Sequence, residues 1–340
     1  MLAAAQSLVQ ETAALMPLRA SLQFCLSGCH QSLVCRASCK IAAGRRNPAR
    51  PLSWANNMPR IIVLSDLHLS PTHGFFWQNW CIARDFANAA GAEAVIVNGD
   101  LTINGAVDDA EVAFAAAALK GLRAPLLALP GNHDVGDEPP GQDPAQLINV
   151  ERLARWDRQF RIDRWVREAG NWILIGLNAQ LFGSELEREL EQSHWLDDRL
   201  TAAARRPVAL FLHKPLFIEH PGEDRATASC MVPAARAGLL ARLGHGNVQL
   251  IVSGHLHEHR ERISDRMRLV WAPAVAFAAP EPHGGDATCG LLTIEFSADA
   301  FEITVEKPTG LVSHDLADIK GHGRYKFLRD MPPSPPLVDG

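Results

Sequence analysis

Polar residues of the kinds that bind metals follow several short apolar runs in this 340-residue sequence. They form five sets: Asp66 and His68; Asp100; Asn132, His133 and Asp134; His213; and His255 and His257. Carboxylate, amide and imidazole donors without thiolate suit Mn²⁺, Fe²⁺, Fe³⁺, Co²⁺ or Zn²⁺. A single Asp or His after a strand is more often a structural residue held by a hydrogen bond. Five such sets in succession instead predict a metal site.

The spacing within two of these sets supports that prediction. Asp66 and His68 are two residues apart, and so are His255 and His257. On an extended segment such a pair points the same way, because a strand has a period of two, so each pair is expected to reach a shared centre. Glycine also precedes three of the polar residues and permits tight turns with close backbone approach; these are Asp100, Asn132 and His255.

Buried strands and helices are expected to place these polar sets. Six continuous apolar runs read as strands: 61–64, 94–97, 126–129, 172–177, 208–212 and 248–252. Helical segments are expected at 77–90 and at 108–122, where Asp108 and Asp109 can cap an Ala-rich helix. Strands alternating with helices indicate an α/β fold, and ligands bind such open sheets at the carboxyl ends of the strands.

The later runs differ from this alternation. Residues 268–271, 291–296 and 301–306 are separated by turn-like segments. The last two show partial alternation of apolar and polar residues and predict an antiparallel hairpin. The sheets are therefore expected to be mixed.

Taken in order, the motifs D-x-H, G-D, G-N-H-D, a His after a strand and G-H-x-H resemble those of the calcineurin-like metallophosphoesterases, spanning Asp66 to His257. Gly99-Asp100-Leu101-Thr102 followed by Asn104-Gly105 looks most like the class III cyclic-nucleotide phosphodiesterase branch. The resemblance implies an α/β fold built as a four-layer α-β-β-α sandwich with two mixed β-sheets. It also implies a dinuclear centre that uses every one of the ligand positions.

The resemblance further implies a role for each residue. Asp66, His68 and His257 would hold one metal ion. Asn132, His213 and His255 would hold the other, and Asp100 would bridge both. His133 would contact the phosphate or protonate the leaving group. Asp134 is either an orienter of His133 or a cap of a turn or helix, with equal weight.

The charges of such a site fit phosphoester hydrolysis. Two divalent ions (Mn, Fe or Zn) bring four positive charges, and Asp66 and Asp100 remove two. The remainder attracts an anionic substrate and stabilises a metal-bridged hydroxide, with metals roughly 3.5–4 Å apart. The resulting prediction is a metal-dependent phosphodiesterase acting on 3′,5′-cyclic nucleotides or other small diesters. Alternatives are a phosphomonoesterase, a nucleotide-sugar pyrophosphatase and, remotely, a non-catalytic binding scaffold.

Several positions near the motifs are secondary candidates. Lys214 follows His213 where members of the branch often have a second His, and it is either a solvated charge, which we favour, or a phosphate contact. Segment 135–165 is a candidate substrate-facing loop and cap, although its Trp156, Phe160 and Trp165 have the spacing of core residues. Loop histidines near the motifs are weaker candidates for the pocket: His73, His220 and His259.

The first 58 residues differ in composition from the rest of the chain. They hold Glu11 as their one acidic residue against six basic ones, giving +5, so the remaining residues carry −10 within the net charge of −5. Our leading hypothesis is that Met58 is the natural start; a transit peptide, a lipoprotein cleavage box at Leu26–Cys29 and a metal knuckle are alternatives. The knuckle would use the four cysteines of this segment, Cys25, Cys29, Cys35 and Cys39.

These observations predict a domain plan and a cellular setting. We expect a non-native or disordered leader at 1–58, a metallophosphoesterase domain at 59–310 and a partly disordered tail at 311–340. Cys81, Cys230 and Cys289 are widely spaced, as expected for reduced thiols in a cytoplasmic protein. The acidic body argues against nucleic acid as a partner, and the lack of a long apolar run argues against a membrane. The expected partner is a small phosphoester, with the protein a monomer or homodimer.

Overall fold

Eleven strands in two sheets form the framework of the described chain. The computed structural model describes residues 58–141 and 143–314. The strands are β1 (Arg60–Leu64), β2 (Ala94–Asn98), β3 (Leu126–Leu129), β4 (Trp165–Ala169), β5 (Trp172–Leu177), β6 (Val208–Leu212), β7 (Val248–Ser253), β8 (Arg260–Ser264), β9 (Met267–Trp271), β10 (Leu291–Phe296) and β11 (Phe301–Glu306). The first sheet has the order β11-β10-β1-β2-β3, and the second has the order β4-β5-β6-β7-β9-β8.

Both sheets are mixed, as the sequence predicts. Strands β1, β2 and β3 pair in parallel, whereas β10 pairs antiparallel with both β1 and β11. In the second sheet β5, β6, β7 and β9 are parallel, with β4 and β8 antiparallel at the two edges. The expected hairpin at 291–306 is confirmed. Strands β4 and β8 were not predicted, because their residues include several charged side chains and form no continuous apolar run.

The described residues form six α-helices, and all but the shortest cover the outer faces of the sheets. They are α1 (Trp77–Ala89), α2 (Asp109–Leu119), α3 (Asn132–Val135), α4 (Val150–Phe160), α5 (Glu187–Ala203) and α6 (Pro233–Leu243). The predicted cap of α2 is present, since the Asp108 carboxylate accepts a hydrogen bond from the backbone N–H of Ala110. Within the described residues, no helix has both the length and the apolar character needed to cross a lipid bilayer.

Alternating strand residues build three layers of core. Ile62 and Leu64 of β1 pack towards α1 with Trp80. Ile61 and Val63 point to the opposite face of β1, where they pack against the second sheet and form the core between the two sheets. The outer face of the second sheet packs against α5 and α6. Because each central strand is buried on both faces, the molecule is the expected four-layer α-β-β-α sandwich.

The segment expected to form a loop and cap, 135–165, contains both loop and regular structure. Its first part lines a cavity through Asp137, Glu138 and Asp143, whereas its aromatic residues lie on α4 and at the start of β4. Trp156 and Phe160 stack on α4 with ring centroids 4.1 Å apart, and Trp156 is fully buried. Trp165 begins β4 and lies against Gly176, where a Cβ would stand 2.3 Å from the indole ring. These aromatic residues therefore belong to the core, as their spacing indicated.

Candidate metal centre

The two sheets bring the predicted ligands together at the carboxyl ends of their parallel strands. Asp66 and His68 follow β1, and Asp100 follows β2 of the same sheet. His213 follows β6, while His255 and His257 follow β7 in the second sheet. Candidate ligand atoms fall into groups in which all atoms lie within 4.8 Å of one another; two of them are Asp66, His68 and His257, and Asp100, His213 and His255.

Asp100 belongs to the second group and also faces the first. Its Oδ1 accepts a hydrogen bond of 2.8 Å from the backbone N–H of His133. Its Oδ2 lies 3.3 Å from His213 Nε2 and 3.9 Å from His68 Nε2. One carboxylate oxygen is thus fixed by the backbone while the other faces imidazoles of both groups, which is the position a bridging ligand requires.

Backbone carbonyls orient the imidazole rings. Nδ1 of His213 lies 2.9 Å from the carbonyl oxygen of Asn98, and Nδ1 of His257 lies 2.8 Å from that of Phe277. For His255 it is Nε2 that lies 2.8 Å from the carbonyl oxygen of Ala228. A ring nitrogen that donates to a carbonyl leaves the other nitrogen as a lone-pair donor. The remaining nitrogens are therefore available to a cation.

The protonation states of most of the candidate ligands suit metal binding. Burial lowers the pKa of His68 and of His255 to about 3, so both rings are neutral at neutral pH. Burial opposes ionisation of Asp66, but the charges of His257 and His213 outweigh it and lower its pKa to about 2. Neutral imidazole and ionised carboxylate are the forms that bind metals. His213 differs: burial lowers its pKa, but the Asp100 carboxylate outweighs burial and raises it to about 9, so this ring gives up a proton when a cation binds. With that proton released, the donor set fits a pair of divalent cations.

Asn132 lies beside this arrangement at the start of α3. It is largely buried, and it lines one cavity with His133 and His255. A Cβ on the preceding Gly131 would stand 2.2 Å from Asp100 Oδ1, so only glycine permits this approach. The predicted close turn before Asn132 is confirmed. Its role as a ligand remains a proposal.

The D-x-H and H-x-H residues converge by a route that the sequence did not indicate. Asp66 and His68 have φ values of 56° and 45°, and His255 and His257 have φ values of 70° and 55°. These are left-handed conformations, so the expectation of an extended segment is wrong. Such values are uncommon for residues other than glycine, Asn, Asp and His and concentrate at functional sites. Consecutive turns, and not strand periodicity, bring each pair to the centre.

His133 lies at the edge of the centre. Its Nδ1 is 2.6 Å from the carbonyl oxygen of Ile103, and its Nε2 is 3.9 Å from Asp100 Oδ2. The ring also packs edge-on against His68, with centroids 4.6 Å apart. Distances alone would allow His133 to form a third group with His68 and Asp100.

Asp134 stabilises the loops around Asp100. Its carboxylate accepts hydrogen bonds from the backbone N–H groups of Leu101, Thr102 and Gly131, and from the Thr102 hydroxyl. These contacts match the interpretation of Asp134 as a cap. The His133 ring is oriented by the carbonyl of Ile103. Thr102 is a residue that the sequence analysis did not single out. Asp134 therefore positions the centre indirectly, by holding the backbone that follows Asp100 and the backbone that precedes Asn132.

Lys214 is not the solvated charge that the sequence analysis favoured. It is 5% exposed, and its Nζ lies 3.0 Å from Oε1 of Glu138, which is 1% exposed. Burial raises the pKa of the Glu138 carboxyl to about 7, and the Lys214 ammonium opposes that rise. Sequence gave no signal for this pairing, because the two residues are 76 positions apart and neither lies in a shared motif.

Two cavities open beside the centre. One has a volume of about 640 Å³ and is lined by residues that include Glu138, Lys214 and Arg225. The other has a volume of about 340 Å³ and is lined by residues that include Phe277 and His283. His133 and His255 line both. The secondary candidates His73, His220 and His259 line neither of these two cavities.

Most of the described part of the sequence matches a known family. A sequence model of the calcineurin-like phosphoesterases matches residues 59–259. The chain belongs to the calcineurin-like phosphoesterase family. This match includes every candidate ligand of the centre, from Asp66 to His257. The candidate metal centre described above is thus part of the family domain.

Sequence matches to individual proteins extend over different fractions of this calcineurin-like phosphoesterase. Serine/threonine-protein phosphatase CPPED1 of Homo sapiens is 27% identical over 168 residues, which are 47% of this chain and 50% of that protein. The chain thus spans about half the length of the CPPED1 relatives it matches. The 3′,5′-cyclic adenosine monophosphate phosphodiesterase CpdA of Escherichia coli K12 is 26% identical over 240 residues, which are 67% of this chain and 76% of that protein.

The fold is also shared with solved structures. A dimetal phosphatase from Danio rerio superimposes with a TM-score of 0.52 at 14% sequence identity, covering 76% of this chain and 98% of that one. At this identity the likeness shows the fold. It agrees with the four-layer arrangement of the calcineurin-like phosphoesterase described here.

Proposed function

We propose that this chain is a metal-dependent phosphodiesterase acting on 3′,5′-cyclic nucleotides or other small diesters. The observation that carries the proposal is the position of Asp100, whose Oδ2 faces His213 from one ligand group and His68 from the other. Mn, Fe and Zn all remain candidates for the metals, since the donor set suits each. The complete set of candidate ligands argues against a non-catalytic scaffold.

The residues around the centre have separate tasks in this proposal. When bound, two divalent cations supply the positive charge that attracts the phosphate and activates water. Asp66, His68 and His257 would hold one ion, and His213 and His255 would hold the other, with Asp100 joining the two sites. Asn132, which lines the adjacent cavity, would complete the second site. His133 Nε2 lies at the edge of the centre and can donate a proton to the leaving oxygen when the ring is protonated on both nitrogens, because Nδ1–H then still donates to the carbonyl of Ile103.

The cavities support a diester over a monoester. A linear phosphodiester carries two organic groups, each joined to phosphorus through an ester oxygen, and a cyclic nucleotide carries one nucleoside joined through two ester oxygens. Cavities of about 640 and 340 Å³ meet at His133 and His255 and offer space for either form. The match to a cyclic-nucleotide phosphodiesterase over 67% of the chain points the same way.

A second candidate function is hydrolysis of a phosphomonoester. It is favoured by the match to a serine/threonine-protein phosphatase, which covers 47% of this chain. The same pair of metal sites serves both reactions, because both substrates are anions. The substrate panel below separates them.

The test is a metal-reconstitution assay. Metal-stripped protein is restored with Mn²⁺, Fe²⁺ or Zn²⁺ and assayed on cyclic nucleotides, a generic diester and a generic monoester, with Asn132→Ala and His213→Ala as controls. We expect diester hydrolysis that depends on added metal and falls at least 100-fold in both variants. Equal rates in wild type and variants would overturn the mechanism. A preference for the monoester would overturn the diesterase assignment alone.

A further inference from the structure

The larger cavity beside the centre has a buried ion pair in its wall. Lys214 and Glu138 both line it, and their charged atoms lie 3.0 Å apart. The pair is held rigidly: Glu138 Oε1 also accepts from the backbone N–H of Val232 over 3.1 Å, and the backbone N–H of Glu138 donates to Gln180 Oε1 over 3.1 Å. Glu138 therefore connects the segment after α3 to the start of α6.

This pair has hydrogen-bonding capacity to spare. Oε2 of Glu138 accepts no hydrogen bond from any residue that the structure describes, although it is buried. The Lys214 ammonium has three N–H donors, and the contact with Glu138 uses one of them. Buried polar groups are normally satisfied, by protein, water or a ligand. An acceptor and a donor thus stand side by side in the wall of the cavity.

The charges in the cavity wall restrict what it accepts. The ammonium and the carboxylate cancel, so the pair adds a donor and an acceptor without net charge. Asp137 and Asp143 oppose Arg225 among the other lining residues. A cavity of this kind disfavours a second phosphate or another anionic group on the substrate. It suits a neutral substituent that both donates and accepts hydrogen bonds, as adjacent hydroxyl groups do.

We propose that Glu138 and Lys214 are specificity-determining residues that bind a neutral, hydroxyl-rich substituent on the phosphorus. One hydroxyl donates to Glu138 Oε2, and its neighbour accepts from Lys214 Nζ. This inference rests on the proposed phosphodiesterase function and selects small linear diesters within it, because a 3′,5′-cyclic nucleotide has one free ribose hydroxyl and not two neighbouring ones. A site built to bond hydroxyls discriminates strongly against analogues that lack them, because its polar groups are then left unpaired.

The test compares two esters that differ in two hydroxyl groups. They are 3,4-dihydroxybutyl 4-nitrophenyl phosphate and butyl 4-nitrophenyl phosphate, assayed at pH 8 with metal-loaded, full-length protein. They share the phosphate and the leaving group, so their kcat/KM ratio isolates recognition of the diol. We expect wild type to prefer the diol ester at least tenfold, mainly through KM. In Glu138→Gln/Lys214→Met, which keeps side-chain size and removes both charges, the preference is expected to fall to less than threefold.

Controls separate the possible failures. Arg188→Met removes an ion pair with Asp157 away from this cavity and is expected to keep the wild-type preference. Equal kcat/KM for the two esters in wild type, or an undiminished preference in the double variant, would overturn the role of Glu138 and Lys214 while leaving the phosphodiesterase intact. Hydrolysis of neither ester would overturn this inference, and the proposed function would fall with it if the cyclic nucleotides of the substrate panel were also not hydrolysed.

Discussion

Gly254 approaches Asp66 so closely that a Cβ on Gly254 would stand 2.7 Å from Asp66 Oδ2 and 2.0 Å from Ser65 Oγ. Asp66 in turn accepts a hydrogen bond from the backbone N–H of His255, and Ser65 donates to its Oδ2 over 2.6 Å. The turn after β7 therefore touches the turn after β1 directly. The two sheets join at the centre through this contact.

We expect Gly254→Ala to disrupt the centre. The methyl group would displace Asp66 and lower both metal content and activity, the latter by at least about tenfold. Metal content is measured by mass spectrometry of the purified protein. Gly238→Ala is the matched control, because Gly238 lies in α6 with nothing within 4 Å of a Cβ, and it should raise the free energy of unfolding by about 0.5–1 kcal/mol. Full metal content and activity in Gly254→Ala would contradict the role of this contact.

His133 and His213 should respond differently to substitution. His133→Ala is expected to retain both metals and to lose about 10²- to 10⁴-fold in kcat, because a proton donor is removed and no ligand is. His213→Ala is expected to lose metal, since its Nε2 faces Asp100. Metal content and single-turnover rates of the two variants check this pair. If His133→Ala lost metal as His213→Ala does, His133 would be a ligand, as its proximity to His68 and Asp100 permits.

Glu111 should make the fold less stable as the pH rises. Burial raises its pKa from 4.5 to about 7, despite hydrogen bonds from the Ser70 hydroxyl and the Asn104 backbone N–H. The folded protein then holds a proton that the unfolded chain releases, so stability is lost between pH 4.5 and 7, by at most about 3 kcal/mol. Glu111→Gln removes this contribution.

Denaturant unfolding at pH 5 and pH 8 measures the effect. The difference in free energy of unfolding between wild type and Glu111→Gln should favour wild type more at pH 5 than at pH 8. Glu187→Gln, at an exposed position of α5, makes the same chemical change without the burial. The same pH dependence in wild type and Glu111→Gln would show that Glu111 does not cause it.

A chain beginning at Met58 tests the predicted leader. The predicted leader, residues 1–58, lies outside the described part of the chain apart from Met58 itself. The first strand begins at Arg60 and the candidate ligands begin at Asp66. We expect the shortened chain to melt within about 2 °C of the full chain and to keep its metal-dependent activity. An insoluble or inactive product would refute the hypothesis that Met58 is the natural start.

The sequence by itself determined the strands of the inner framework and the members of the candidate site. Continuous apolar runs such as 94–97 and 208–212 mark strands buried on both faces, and local composition is sufficient to show this. The polar sets that follow them are equally local. Edge strands β4 and β8 escaped detection because charged side chains interrupt them and much of each strand faces solvent, although each pairs with the next strand along the chain.

Only the tertiary structure decided how the site is assembled. The left-handed turns at Asp66 and His255 depend on contacts between the two sheets, which no local pattern encodes. Lys214 reads as a surface charge in the sequence, and it is buried because Glu138, from a distant segment, supplies the opposite charge. Residue type is a local property, whereas burial, pairing and close approach depend on which segments the fold brings together.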